Sequence, residues 1–265
     1  MIEGQEGVSW EQWLAIARAC EENGLEGLFR SDHYAPIMSE GGSLDAWATL
    51  AALAPVTRRI RLGTLVSPVT FRHPSVVAKS ALLVDHASGG RVEVGLGAGW
   101  MEEEHRRFGF PFPETRTRTA MLAEQVEIVH RQLLGERFSF AGEHYRLENC
   151  VPRPPPVQRP RPPLLVGGRG GRGTIEPAAR FADEYNTFSL SPDECRGLRV
   201  KLDAACEREG REPKSLRLSL MTRAVADMRE LGDRLRKYED AGVERVMVQH
   251  LEHSDLDLIA RLGEL

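Results

Sequence analysis

Apolar residues fall along this chain in two alternating patterns. Short continuous runs rich in Val, Leu and Ile are separated by longer stretches in which apolar positions recur every third or fourth residue. The first pattern reads as a buried strand and the second as an amphipathic helix. Residues 60–104 give the clearest case. The runs Ile60–Val66 and Arg91–Gly97 flank a helical stretch that ends at Ser88-Gly89-Gly90. Two strands joined through a helix form the crossover unit of a parallel sheet. Both strands run out into Gly, Ser and Pro at their C-terminal ends, where ligands of such sheets bind. Chemistry is therefore expected just after Val66 and just after Gly97.

The same alternation covers the rest of the chain. Ser9-Trp10-Glu11-Gln12 is a capping box that opens a helix stopped by Asn23-Gly24. Gly27–Ser31 reads as a strand followed by the polar turn Asp32-His33-Tyr34, and a helix runs from about Asp45 to Ala54. A longer helix spans roughly Arg116 to Leu134, and Phe138–Leu147 is a short excursion with a turn at Ala141-Gly142. The proline-rich segment Pro152–Pro163 cannot be helical, because proline lacks the donor and clashes with the preceding turn. It is expected to lead, extended, into the strand Leu164–Val166. Strands near Asp183–Phe188, Leu216–Met221 and Arg245–Gln249 then alternate with helices from Thr174, Ser191 and Glu230, and a final helix ends the chain.

Seven strands, each followed by a helix, leave only Met1–Gly4 for an eighth. The expected fold is an α/β (β/α)8 TIM barrel with a truncated first strand, as one domain over residues 1–265. A doubly wound open sheet is the alternative, but its dinucleotide fingerprint should follow an early strand and does not.

Composition narrows the function classes. The chain has 265 residues, 28% of them charged, and a net charge of -4. That balance gives no electrostatic reason to expect nucleic acid. No apolar run is long enough for a membrane span. Cys20, Cys150, Cys195 and Cys206 form no CxxC pair, and no signal-peptide pattern precedes them. Reduced thiols in a cytoplasmic protein are expected.

Several residues at the expected strand ends suit catalysis or binding. Gly95-Leu96-Gly97-Ala98-Gly99 lacks dinucleotide spacing. It reads either as close backbone approach at a strand end or as room for a flat cofactor. Gly167–Gly173 carries five glycines with Arg169 and Arg172, directly after a strand and before a helix. Backbone N–H groups in such a turn, with a helix N-terminus, favour a phosphate. Asp32-His33 ends a strand at the same face, and His33 can give or take a proton; the pair could also be a structural hydrogen bond. Trp100 is an aromatic placed to wall a substrate pocket, and His250, after the last strand, is expected to line it. A metal site at His250 and His253 has only two imidazoles and no third ligand in sequence, so no metal is expected. Glu102-Glu103-Glu104 before His105 reads as the acidic first turn of a helix.

These pieces together resemble the luciferase-like flavin and deazaflavin oxidoreductases, and more closely their coenzyme F420-dependent branch. The matching motifs are Ser31-Asp32-His33, Leu62-Gly63-Thr64 through Arg72-His73-Pro74, Asp85-His86 with Ser88-Gly89-Gly90-Arg91, Gly95 through Trp100 with Glu104, and Pro162 through Gly168. The resemblance implies a flavin-type ring at the barrel mouth, backed by a bulge with a non-prolyl cis peptide at Leu65–Val66. It implies that Asp32 and His33 lie beside the reactive edge of the ring. Gly97, Ala98 and Gly99 are then expected to line the coenzyme, and Gly167, Gly168 and Arg169 to meet its phosphate and tail. Coenzyme F420 is the implied cofactor, with FMN in a monooxygenase as the alternative and a non-catalytic flavin-binding relative as a third reading. Deazaflavin enzymes that oxidise sugar phosphates carry a glutamate where this chain has Trp100 and an aromatic where it has Ile37. A less polar small molecule is therefore the expected substrate. The short first strand leaves an edge that a second copy could cover, so a homo-oligomer is expected.

Overall fold

Local capping sets the helix boundaries. The Ser9 hydroxyl accepts from the Gln12 N–H at 3.2 Å and the Gln12 side chain accepts from the Ser9 N–H at 2.9 Å. This closes the predicted capping box ahead of α1 (Trp10–Glu22). The structure, a computed structural model, describes residues 1–225 and 227–265. After α1 come β1 (Gly27–Arg30), α2 (Ala46–Leu53), β2 (Arg61–Thr64), the two-residue β3 (Ser67–Pro68), α3 (Pro74–Ser88), β4 (Val92–Gly97), α4 (Glu102–Phe108) and α5 (Thr115–Leu134). The excursion is a two-stranded antiparallel hairpin, β5 (Phe138–Ala141) with β6 (Arg146–Cys150). β7 (Leu164–Gly167), α6 (Arg172–Phe181), β8 (Glu184–Phe188), α7 (Pro192–Arg208), β9 (Arg217–Arg223), α8 (Met228–Glu239), β10 (Arg245–Gln249) and α9 (Leu256–Leu262) follow.

The main sheet runs β1-β2-β4-β7-β8-β9-β10, every pairing parallel. Ile2 forms parallel bridges to both Arg30 and His250. Its N–H donates to Phe29 O at 2.9 Å and its carbonyl accepts from the Ser31 N–H at 3.1 Å. On the other side the Met1 amino group donates to Val248 O at 2.9 Å, and the His250 N–H donates to Met1 O at 2.9 Å. Two residues thus stand where a full first strand would, and they join the sheet's two edges at the mouth. Below them β1 and β10 flank a groove of about 210 Å³ lined by Leu28, Val246 and Ile259.

Strand alternation sorts side chains between the barrel interior and the helix layer. Phe29, Leu65, Leu165 and Met247 form the apolar interior layer, with Met1, Val66 and Met221 against it. The larger core lies between strands and helices and includes Trp13, Leu62, Val94, Leu122, Val166 and Leu220. At the N-terminal end of the barrel the buried Arg245 guanidinium donates to Glu93 Oε2 at 2.7 Å and Glu184 Oε2 at 2.9 Å. Burial opposes that charge, yet the carboxylates of Glu93, Glu26 and Glu184 hold it above the ordinary arginine value. Burial likewise pushes the Glu184 carboxyl up. This end is a charged plug, remote from the strand C-termini.

The proline segment is free of helix, as predicted, but it bends at Pro154 and over residues 157–160 instead of running straight, and it is tied down by α3. Asp85 accepts from the Val157 N–H at 2.6 Å and from Gln158 Nε2 at 2.8 Å. That anchor aims the chain into β7 between β4 and β8.

Candidate active site

The C-terminal ends of β1, β2, β4 and β7 bring the predicted motifs to one mouth. His33 follows β1 by three residues and Glu104 lies in the first turn of α4. His33 Nδ1 is 2.7 Å from Glu104 Oε1, with the histidine side chain 14% exposed and the glutamate 1%. The other carboxylate oxygen accepts from the Tyr34 N–H at 2.8 Å and the Ala35 N–H at 3.3 Å. Burial opposes the Glu104 charge, but the His33 bond and these N–H groups hold its carboxyl below the usual range. Glu104 therefore ties the loop after β1 to the loop after β4.

Asp32 points the other way. Its Oδ2 accepts from Ser67 Oγ at 2.6 Å and from Arg72 Nη1 at 2.6 Å, and the residue is buried. Arg72 also pairs with Asp45 and donates to Tyr34 Oη at 2.9 Å. Trp47 Nε1 donates to Ser67 Oγ at 3.0 Å. These contacts make Asp32 the anchor of β3 and of its own loop; the Asp-His dipeptide is not an internally bonded pair.

The peptide Leu65–Val66 is cis and sits between β2 and β3. Leu65 turns into the interior layer, while Val66 faces the ends of β4 and β7. A Cβ on Gly97 would overlap Val66 Cγ2, and Val66 is also the nearest neighbour that a Cβ on Gly167 would meet. Glycine at 97 is thus required by the approach of Val66. Through that contact it sets the floor of the mouth. Ala98 and Gly99 lead from there to Trp100.

The glycine turn after β7 is organised by a tyrosine absent from the sequence reading. Tyr185 Oη accepts from the Gly170 N–H at 2.8 Å and lies 2.8 Å from Thr174 Oγ1. A Cβ on Gly168 would overlap both hydroxyls. Among the described residues the N–H groups of Arg169, Gly171, Arg172 and Gly173 have no acceptor, and α6 has no side-chain N-cap. A helix N-terminus with free donors suits an anion. The Arg169 guanidinium lies 5.1 Å over the Phe188 ring. Arg172 Nε instead donates to Glu176 at 2.6 Å along the outside of α6.

Trp100 is 63% exposed and its ring meets His33 edge-on at 5.7 Å between centroids. Ile37 and Met38 are exposed on the loop after β1, held there by Glu6, which accepts from the Ile37 N–H at 2.8 Å. His250 is placed otherwise than the sequence suggested. It is 2% exposed, and Met247 shows why: that residue faces the interior, so strand alternation turns Gln249 inward and His250 to the opposite side. Among the described residues its ring nitrogens have no partner, and burial lowers its pKa to about 4. Its ring is 6.3 Å from that of His253, and no group of three metal-ligating side chains occurs among the described residues.

Sequence reading missed the roles of Glu104, Arg72 and Tyr185. Glu104 was visible inside a matching motif but was indistinguishable from its acidic neighbours. Glu103 in fact bonds outward to Arg106 at 2.6 Å and Arg107 at 2.8 Å.

Comparison with known proteins gives a concordant picture. Residues 2–231 match the Luciferase-like monooxygenase family. An uncharacterized protein of Mycobacterium tuberculosis is 30% identical over 270 residues, covering 95% of this chain and 91% of that one. An F420-dependent glucose-6-phosphate dehydrogenase of Nakamurella multipartita is 35% identical over 179 residues, covering 66% of this chain and 51% of that one. Among solved structures, an F420-dependent secondary alcohol dehydrogenase in complex with an F420-acetone adduct superposes with a TM-score of 0.83. That match has 18% identity and covers 100% of this chain and 97% of the other, a likeness of fold. No helix among the described residues is long and apolar enough to cross a membrane.

Proposed function

The chain belongs to the luciferase-like monooxygenase family, a family of oxidoreductases, and from that premise we propose that it is a coenzyme F420-dependent oxidoreductase acting on a small, weakly polar organic substrate. The bound deazaflavin would supply two-electron hydride chemistry. The residues present fit such a group. The free N–H donors of Arg169, Gly171, Arg172 and Gly173 suit its phosphate. Val66, seated over Gly97 and Gly167, would back its ring. Ala98 and Gly99 continue that floor, and Arg169 lies near enough to the turn to meet an acidic tail.

His33 handles the substrate proton. In the oxidising direction it takes the proton of a substrate hydroxyl; in the reducing direction it returns one to a carbonyl oxygen. Trp100 offers an apolar wall beside it, and Ile37 is exposed on the loop that follows β1; this disfavours a sugar phosphate and favours a substrate with little charge. Asp32 acts at one remove, by fixing Ser67 and its own loop through Arg72.

The observation that carries this reading is the juxtaposition at one mouth of a histidine held on a buried carboxylate, an exposed tryptophan 5.7 Å from it, and a glycine turn with free donors. Titration with F420 and with FMN, each followed by quenching of tryptophan fluorescence, tests it. Tight binding of F420 with weak FMN binding is expected. Tight FMN binding with none for F420 would favour an FMN-dependent monooxygenase. Binding of F420 without turnover across alcohols, ketones and enones would favour a non-catalytic relative.

A further inference from the structure

We propose that Glu104 is a positioning residue that decides which ring nitrogen of His33 carries the proton, leaving Nε2 as the atom that exchanges a proton with substrate. The proposal deepens the oxidoreductase reading of this mouth and rests on it for its catalytic part. Its structural part stands alone.

The Glu104 carboxylate divides its two oxygens between different partners. Oε2 is taken by two backbone donors, Tyr34 N–H at 2.8 Å and Ala35 N–H at 3.3 Å. Oε1 faces His33 Nδ1 at 2.7 Å. An ionised carboxylate can only accept, so Nδ1 must carry its hydrogen. In a neutral imidazole the other nitrogen then holds a lone pair. Nε2 has no partner among the described residues, and the Trp100 ring meets the imidazole edge-on at 5.7 Å between centroids. The ring is thus ready to receive a proton at Nε2. The same carboxylate then faces the resulting imidazolium and stabilises it until the proton is returned.

The two backbone donors also dictate what a glutamine would do. Tyr34 and Ala35 N–H require an oxygen at the Oε2 position. A Glu104→Gln side chain must therefore put its carbonyl there and turn its NH₂ toward His33 Nδ1. An NH₂ group only donates, so Nδ1 becomes the acceptor and the hydrogen moves to Nε2. The loop anchors survive while the tautomer inverts, which separates positioning from structural support.

The experiment uses full-length protein with ¹⁵N-labelled histidine. His33 resonances are assigned by their loss in His33→Asn, and the tautomer is read by NMR without coenzyme. The wild type is expected in the Nδ1–H form and Glu104→Gln in the Nε2–H form. With F420 bound, Glu104→Gln should keep coenzyme affinity within about twofold and lose roughly 10²–10⁴-fold in kcat, the usual range for a lost acid–base group, with a smaller change in KM. A wild type already in the Nε2–H form would overturn the proposal, whether or not the variant folds. So would a Glu104→Gln protein that keeps the wild-type tautomer, or one that inverts it with kcat unchanged. If wild-type protein neither binds F420 nor turns over substrate, the oxidoreductase reading fails, and the tautomer result still reports separately on Glu104.

Discussion

Asp32, in the loop that carries His33, meets Arg72, just ahead of α3, at 2.6 Å, so the residue before the histidine serves an ion pair and not the open mouth. Both side chains are largely buried, and Arg72 also holds Asp45 and Tyr34. Removing one member of such a pair leaves the other charge without compensation. Arg72→Ala is expected to destabilise the fold by about 3–5 kcal/mol. Urea denaturation measures this, and a loss under about 1 kcal/mol would mean the pair is relaxed or hydrated in solution.

The glycine turn makes a prediction about coenzyme affinity. A Cβ on Gly168 would collide with the hydroxyls of Tyr185 and Thr174, which shape the turn. Gly168→Ala is expected to weaken F420 binding by about tenfold or more, since each 1.4 kcal/mol of displaced contact is worth a factor of ten. Tyr185→Phe, which removes the acceptor of the Gly170 N–H, should weaken it in the same direction. Unchanged affinity in both would place the phosphate elsewhere.

His33→Ala is expected to keep coenzyme binding and lose roughly 10²–10⁴-fold in turnover. Calorimetric binding together with steady-state rates would separate the two effects. Full turnover in this variant would remove His33 from the proton role.

Trp100 should govern substrate affinity with little effect on stability. The side chain is 63% exposed, so Trp100→Ala is expected to change unfolding free energy by less than about 0.5 kcal/mol. Its loss should raise KM for apolar substrates while leaving F420 affinity nearly intact. Equal KM values in variant and wild type would show that the substrate does not lean on this ring.

His250 yields a pH prediction. Its folded pKa is lowered to about 4 by burial, next to the Met1 amino group and His253, against an ordinary value of 6.5. The unfolded chain therefore binds the extra proton first. Stability from this group is present above pH 6.5 and is lost as pH falls toward 4. Between pH 7 and pH 5 the loss is about 2 kcal/mol by linkage. Replacing the ring by His250→Phe should flatten that part of the stability profile. An unchanged slope would show that the ring is hydrated or paired in solution.

Much of the architecture was readable because it is written locally. Strand and helix periods, the two serine capping boxes and the proline segment each depend on neighbours in sequence, and each falls within a few residues of its expected place. The site was less so. Asp32 meets Arg72 across forty positions, and Tyr185 reaches the glycine turn from the next strand. His250 illustrates a different gap. Alternation along β10 already separates it from Gln249, but only the packing of Met247 shows which face is inside. Glu104 lay in a run of three acids whose separate fates follow from helix rotation, with Glu103 turned to solvent arginines and Glu104 turned to His33.

The central claim is that the mouth containing His33, Val66 and the Gly167–Gly173 turn holds a deazaflavin. A crystal structure of the protein soaked with F420 tests it most directly. The account predicts phosphate density on the N–H groups between Arg169 and Gly173, with the ring against Val66 and within reach of His33. Coenzyme density at the charged N-terminal end of the barrel, or an empty mouth at saturating F420, would contradict it.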